Sequence, residues 1–459
     1  MTEFRAPRLP TLAWRAALEA LADVHATGTP LELAADVLVA EIDVRIGAQL
    51  DVILHTPAYQ RLEAAWRGLA FVVERVDFAE NVQVHAWNAR LEEIADDLDA
   101  APAVLRTSLF RWVFTEEFGQ YGGTPYAAVL VDHAFGPGPR DVSILRAFAA
   151  IGSMAHAPFF VTASPALLGL RSFDELPGLR DLAPLGDDLR TARFRALRES
   201  ADARYLGVLL PRMLLRRPFR EEDAERLVYT EQVVESGQAL FGSPVYAWAT
   251  RLAHAFARER WCFDITGASG GRVEPVPAPT SPTLGVGHPR PMLEALVSER
   301  TEVALAALGF IALTHDGYDA GATFVSAPTL YQPRSFGASA RGKAASLDDK
   351  LGAQFPYLFI ACRIAHYVKV LQRDLLGGAH SPLQVQERLN AWLGELVVDM
   401  NTLTPALRAR YPLRRGVVTV APIEGQPGWY QTEIKLQPHL RYMGAAVNLA
   451  VTSRMETPR

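Results

Sequence analysis

One short run in this chain has the residue types of a nucleophile: Gly267-Ala268-Ser269-Gly270-Gly271 fits G-x-S-x-G. In an α/β-hydrolase that turn leaves a strand and opens directly into a helix, lifting the serine hydroxyl above the sheet. The preceding WCFDIT run has the composition of such a strand. The run that follows, RVEPVPAPTSPT, repeats proline and is not expected to be the helix, because each proline removes an N–H and clashes with the turn before it. A Gly-rich turn between strands is the expected reading, with a hydrolase using Ser269 as the rival. Cys362 and His366 stand four apart on an expected helix, two ligands where a structural zinc needs four. Packing of Cys362 beside a hydrogen-bonded His366 is expected instead. Glu116-Glu117 and Asp96-Asp97 read as solvated helix charges. Arg212, Arg216, Arg217 and Arg220 read as a solvated face or an ion-pair network. No P-loop, G-x-G-x-x-G or H-E-x-x-H motif is present, so no catalytic, metal or cofactor-binding residue is assigned.

The elements that would have to position any site change character along the chain. A first helix is expected from about Thr11 to His25, with Trp14, Leu18 and Leu21 as its apolar stripe. A second opens at a capping box, Thr29 with Glu32, and carries Leu38, Ile42, Ile46, Leu50 and Ile53. Pro57 ends it, and a third carries Tyr59, Leu62, Trp66, Leu69 and Val73. Beyond this helical region Val82, Val84 and Ala86 alternate with polar residues and aromatics, the pattern of a half-buried strand. AAVLVDHAF and FFVTA read as core strands, with Asp141 capping the helix between them. YLGVLLPRMLL is interrupted by Pro211, which makes it an edge, a bulge or two pieces. Arg272–Pro291 and Tyr331–Ser346 are expected to be irregular. A C-terminal portion follows with two helices and strands near Val417–Val420, Trp429–Leu436 and Ala446–Val451. The fold class is therefore mixed α/β to α+β, partitioned as a helical segment (1–56), a body (57–345) and a C-terminal helix-plus-strand domain (346–459).

Composition sets outer bounds. At 459 residues with 49% hydrophobic and 21% charged residues, the chain has enough apolar surface for a sizeable core. Its net charge of −5 gives no general electrostatic reason to bind nucleic acid or anionic lipid. Two cysteines a hundred residues apart suit a reducing compartment. The N-terminus lacks the pattern of a secretory signal, and no run of 18 uncharged apolar residues predicts a membrane span. A cytoplasmic protein is the expectation.

One long segment carries more specific information. LDVILHTPAYQRLEAAWRGLAFVVER (50–75) resembles the large subunit of the type VI secretion contractile sheath, the TssC/VipB family. The similarity continues in order through EFGQYGGTPYAAVLVDHAF, MAHAPFFVTASP, ALRESADARYLGVLLPRMLLRRPF and AWATRLAHAFARERWCFDITGASGGRVEPVP. It runs on through RIAHYVKVLQRDLLG, LNAWL, PLRRGVVTV, PGWY and LQPHL, and so covers about Glu41 to Val451.

The resemblance implies a non-enzymatic structural subunit of contractile tail sheath fold. It implies an obligate heterodimer with a small sheath subunit, and stacking with further copies as hexameric rings of a helical cylinder. An inner tube, a baseplate and a Clp-type AAA+ unfoldase that recycles the contracted sheath are the other implied partners. A sheath-like paralogue of another contractile injection machine is the alternative within this class. The C-terminal strands can accept a neighbour's strand by main-chain hydrogen bonding, with Val417, Val418, Val420, Trp429, Tyr430, Ile434, Val447 and Leu449 as the pairing positions. A small internal sheet with both edges covered is the competing reading. The leader departs from the family pattern: it is short and Ala-rich, and Arg15 is the only basic residue of the first helix. Trp14, Leu18 and Leu21 are candidates either for unfoldase recognition or for packing on the partner subunit.

Overall fold

The computed structural model describes residues 31–120, 122–178, 192–220, 228–233, 238–274, 292–315, 321–375, 382–400, 404, 407, 410–422, 429–439 and 449–456. They form two compact units, Met1–Ala64 with Arg216–Leu240, and Ala65–Leu215 with Phe241–Arg459. Helix and sheet are mixed, as the sequence predicts. No helix among the described residues is long and apolar enough to cross a membrane.

The first unit is built on α1 (Leu31–Leu54) and the start of α2 (Pro57–Val73). Proline suits the first position of α2, where its missing N–H leaves no intrahelical bond unmade. The 216–240 segment is held by buried charge. Arg216 donates from Nε to Glu63 (2.8 Å) and from Nη1 to Glu231 (2.6 Å). Glu231 also accepts from the Phe219 N–H (3.0 Å) and meets His55 Nε2 at 3.3 Å. Burial works to raise the Glu231 pKa, but the Arg216 hydrogen bond, the Phe219 N–H and the guanidinium charge outweigh it and hold it below its ordinary value. Tyr229 donates to Asp51 (2.6 Å), and its ring packs against Gly47 of α1. The Arg-rich run thus begins as an ion-pair network, one of its two expected readings. Arg212, in the second unit, pairs with Glu294 in the same way.

The second unit centres on a six-stranded sheet, ordered β1 (Val129–Phe135), β2 (Phe159–Ala163), β3 (Leu206–Leu210), β7 (Phe310–His315), β8 (Ala322–Phe324) and β6 (Arg272–Val273). The first four run parallel, and β8 runs antiparallel to both of its neighbours, β7 and β6. Buried on both faces, β2 and β3 are unbroken apolar runs without alternation. Pro211 does split YLGVLLPRMLL in two: β3 lies inside the sheet, and β4 (Met213–Leu214) pairs separately with β5 (Phe241–Gly242). After α3 (Leu91–Ala100), α4 (Pro139–Ala155) links β1 to β2 and contributes Leu145, Phe148 and Ile151 to the main core. Asp141 lies within the first turn of α4 rather than at its cap, and its carboxylate accepts the Gly136 N–H (2.6 Å). The longer α-helices that follow are α5 (Ala192–Arg198), α6 (Val245–Glu259), α7 (Glu299–Ala307), α8 (Ala340–Leu351), α9 (Phe355–Leu375) and α10 (Pro382–Gly394). α8 begins inside the stretch expected to be irregular, with Ser339 as its N-cap. α9 and α10 pack on a three-stranded antiparallel sheet of β9 (Leu413–Pro422), β10 (Trp429–Pro438) and β11 (Leu449–Glu456).

The alternation at Val82–Ala86 does not yield a strand. Residues 82–90 are without regular structure; Val82 tucks against a small cluster around Val72 and Val76, and the His85 and Trp87 rings meet Tyr126, Trp87 also meeting Trp112. The alternation favours a pleated surface, but among the described residues no strand pairs with this one.

Candidate assembly interface

Ser269 is not set as a nucleophile. Gly267–Gly270 is a single helical turn leading into the two-residue β6, and no strand precedes it. Its hydroxyl donates to the Asp264 carboxylate (3.2 Å), which also receives Arg258. The glycines answer to packing. A Cβ at Gly270 would strike the Asp264 backbone, one at Gly271 the Phe324 carbonyl, and Gly267 adopts φ +72°.

Cys362 is buried, and burial pushes its thiol pKa up. His366 donates from Nε2 to the Ala155 carbonyl at the end of α4 (2.9 Å). This is the hydrogen-bonded core histidine that the sequence predicts. It is joined by a second one, His156, in left-handed backbone at the C-cap of α4. His156 Nδ1 meets the Tyr205 hydroxyl at 3.2 Å, and the two imidazole centroids lie 6.4 Å apart beside Phe118. Burial lowers both pKa values to about 4, and the His366 charge adds to the effect on His156. Both rings are neutral at neutral pH and serve packing.

Among the described residues several large apolar side chains are exposed. Along α2, Tyr59, Leu62, Trp66 and Val73 share one helical face, and that face is exposed, Leu62 at 59% and Trp66 at 67%. The opposite face buries Gly68, Phe71 and Val72. Gly68 lies so close to the Tyr246 ring that a Cβ would overlap it, while Tyr246 donates to Asp132 (2.7 Å). The Trp-Arg-Gly-Leu run therefore divides by role: glycine turns inward and tryptophan outward. α1 also exposes Val39, Val44, Ile46 and Val52, Val44 at 68%, among charged residues such as Glu41 and Arg45.

The C-terminal sheet holds most of the positions expected to pair between subunits. Trp429, Tyr430 and Ile434 lie on β10, the middle strand, whose two sides are both taken within this chain. Val418 and Ile434 point into the core between the sheet and the two helices, whereas Val417 is 53% exposed and Val420 is partly covered. Leu449 opens β11, an edge strand. Val447, Trp14, Leu18 and Leu21 lie outside the described residues. Sequence reasoning missed Asn390 and Gln386 of α10, which bond the backbone of β9. Two amides four apart beside the Val385–Leu389–Leu393 stripe were the available signal.

Residues 36–331 match the tail sheath N-terminal domain of EvpB/VC_A0108 type, and residues 344–455 match the tail sheath gpW/gp25-like domain of the same type. The chain is also 33% identical to the type VI secretion system sheath protein TssC1 of Pseudomonas aeruginosa over 432 residues, covering 92% of this chain and 86% of that protein.

Proposed function

Since the chain belongs to the TssC/VipB family of type VI secretion sheath proteins, a family of structural rather than enzymatic subunits, we propose that it builds its contractile sheath through two kinds of contact. The first joins it to a small sheath subunit. The observation that carries this is the exposed apolar face of α2, with the exposed Val39, Val44, Ile46 and Val52 of α1 beside the charged residues of that helix. A stable obligate interface buries about 2,000 Å² or more and is more apolar than a transient one, which is what such surfaces provide. The second contact is strand addition at the C-terminal sheet, linking heterodimers into rings and rings into a hollow cylinder. A sheet tolerates rotation of the bodies it joins, because the flanking segments flex while the ladder holds.

On this reading contraction exchanges one set of contacts for another of lower free energy, and drives an inner tube outward from a baseplate in the cytoplasm. The helix expected around Trp14, Leu18 and Leu21 either meets a Clp-type unfoldase or packs on the small subunit. The deciding experiment is co-expression with a small sheath subunit, followed by negative-stain electron microscopy. Striated hollow cylinders are the expected result. Soluble, unassociated chains across several salt and pH conditions would overturn the proposal.

A further inference from the structure

The two edges of the C-terminal sheet are not equivalent. At β9 one side chain takes both outward groups of Val418: Asn390 Nδ2 donates to the Val418 carbonyl (2.7 Å), and the Val418 N–H donates to Asn390 Oδ1 (2.9 Å). A primary amide offers the same donor and acceptor pair as a peptide unit, so Asn390 stands where a neighbouring strand would. One helical turn earlier, Gln386 Oε1 accepts the Val420 N–H (2.9 Å). Asn390 is itself steadied by donating to the Gln386 carbonyl (2.9 Å). Further along, Leu413 donates to Leu396 and accepts from the Val398 N–H (3.0 Å). The outer side of β9 is thus occupied at Leu413, Val418 and Val420.

β11 is different. Because Val418 turns its groups away from β10, its cross-strand partner Ile434 must bond the other way, to Val451. The alternation then leaves the N–H groups of Ala450, Thr452 and Arg454 facing away from β10. Among the described residues β11 pairs with β10 alone. An open sheet with two free edges extends in both directions, whereas one with a single free edge takes one strand in one register.

We propose that Asn390 and Gln386 are specificity-determining residues for assembly: by filling the β9 edge they confine intersubunit strand pairing to β11. This rests on the reading above that the C-terminal sheet accepts a neighbour's strand. Asparagine is a poor residue for a helix interior, which Ala or Leu would stabilise better, and its retention at 390 is explained by three hydrogen bonds rather than by helix propensity.

Backbone amide exchange tests it on the full chain with its small subunit, comparing free heterodimer with assembled cylinders. The Ala450, Thr452 and Arg454 amides are expected to slow by about tenfold or more on assembly, the effect of roughly one added hydrogen bond, while Val418 and Val420 stay unchanged. Slowing at β9 without slowing at β11 overturns the proposal. If neither strand slows, the strand-addition reading itself falls, a different result. Thr452→Pro removes an outward N–H without touching the β10 ladder, and is expected to abolish cylinders; normal cylinders would contradict the assignment. Asn390→Ala with Gln386→Ala should turn regular cylinders into irregular aggregates, and cylinders of wild-type length and number would exclude a guarding role. Should that variant not fold, the wild-type exchange comparison decides alone.

Discussion

At the scale of single residues, Ser269 and the histidine pair show how much a residue type can say without its surroundings. The G-x-S-x-G match was legible as a turn, because the prolines after it exclude a helix, but the reason for its glycines lay in Asp264 and Phe324, which the sequence does not bring near. Ser269→Ala is therefore expected to leave cylinder formation intact and to cost no more than about 1 kcal/mol, the worth of one exposed hydrogen bond, in a denaturation midpoint. The histidines make a pH prediction. Each has a folded-state pKa near 4, below the ordinary value of 6.5, so the unfolded chain takes up protons that the folded chain refuses. The stability this neutral pair contributes is complete above about pH 6.5 and is lost as pH falls toward 4. Arg363, on the helix turn before His366, adds a like charge that works in the same direction. Replacing His366 with Gln keeps a donor for the Ala155 carbonyl and removes one titration. The gap between the protein's melting midpoints at pH 7 and pH 5 should shrink by about 2 °C or more; an unchanged gap would locate the acid sensitivity elsewhere. His366 was readable as a core residue from its spacing to Cys362. Its pairing with His156, 210 residues earlier, was not, because nothing local links the end of α4 to α9.

At the scale of elements, periodicity identified the stripe of α2 but could not say what lies against it. Tyr59, Leu62, Trp66 and Val73 have the spacing of a core-facing helix, yet the core of this chain takes the opposite face through Gly68, Phe71 and Val72. Hydrophobic period reports that a face is buried somewhere and is silent on whether the same chain buries it. The strand pattern at Val82–Ala86 fails in the same way, since alternation describes a pleated surface and cannot supply a partner. The parallel strands β2 and β3 were legible for the contrary reason: enclosed on both faces by one chain, they became unbroken apolar runs. If α2 offers its outer face to a small subunit, then Leu62→Glu or Trp66→Glu places a charge where water must be excluded. Co-purification of the small subunit should fall by about tenfold or more, since an uncompensated buried charge costs several kcal/mol. The melting midpoint of the chain itself should move by less than about 2 °C, because both side chains are exposed in it. A large drop in that midpoint with binding preserved would mean that the stripe is covered by the chain's own residues.

At the scale of the whole molecule, the distribution of apolar surface determines how the chain behaves without a partner. Val39, Val44, Ile46 and Val52 on α1 and the outer face of α2 place several large apolar side chains in water, which favours association. The net charge of −5 on 459 residues gives only weak self-repulsion to oppose contact. Expressed alone, the chain is therefore expected to self-associate or to fall into the insoluble fraction, and co-expression with a small sheath subunit should restore it to the soluble one. Salt separates the physical cause from an electrostatic one. Ionic association weakens as the Debye length shrinks from about 10 Å at 0.1 M to about 3 Å at 1 M, whereas apolar association is strengthened by excluded salts such as sulfate. Sedimentation of the purified heterodimer should accordingly show assembly that survives 0.5 M sodium chloride and increases in sulfate of equal ionic strength. Loss of assembly across that range would assign the contacts between subunits to charged surface groups instead of to the apolar helices.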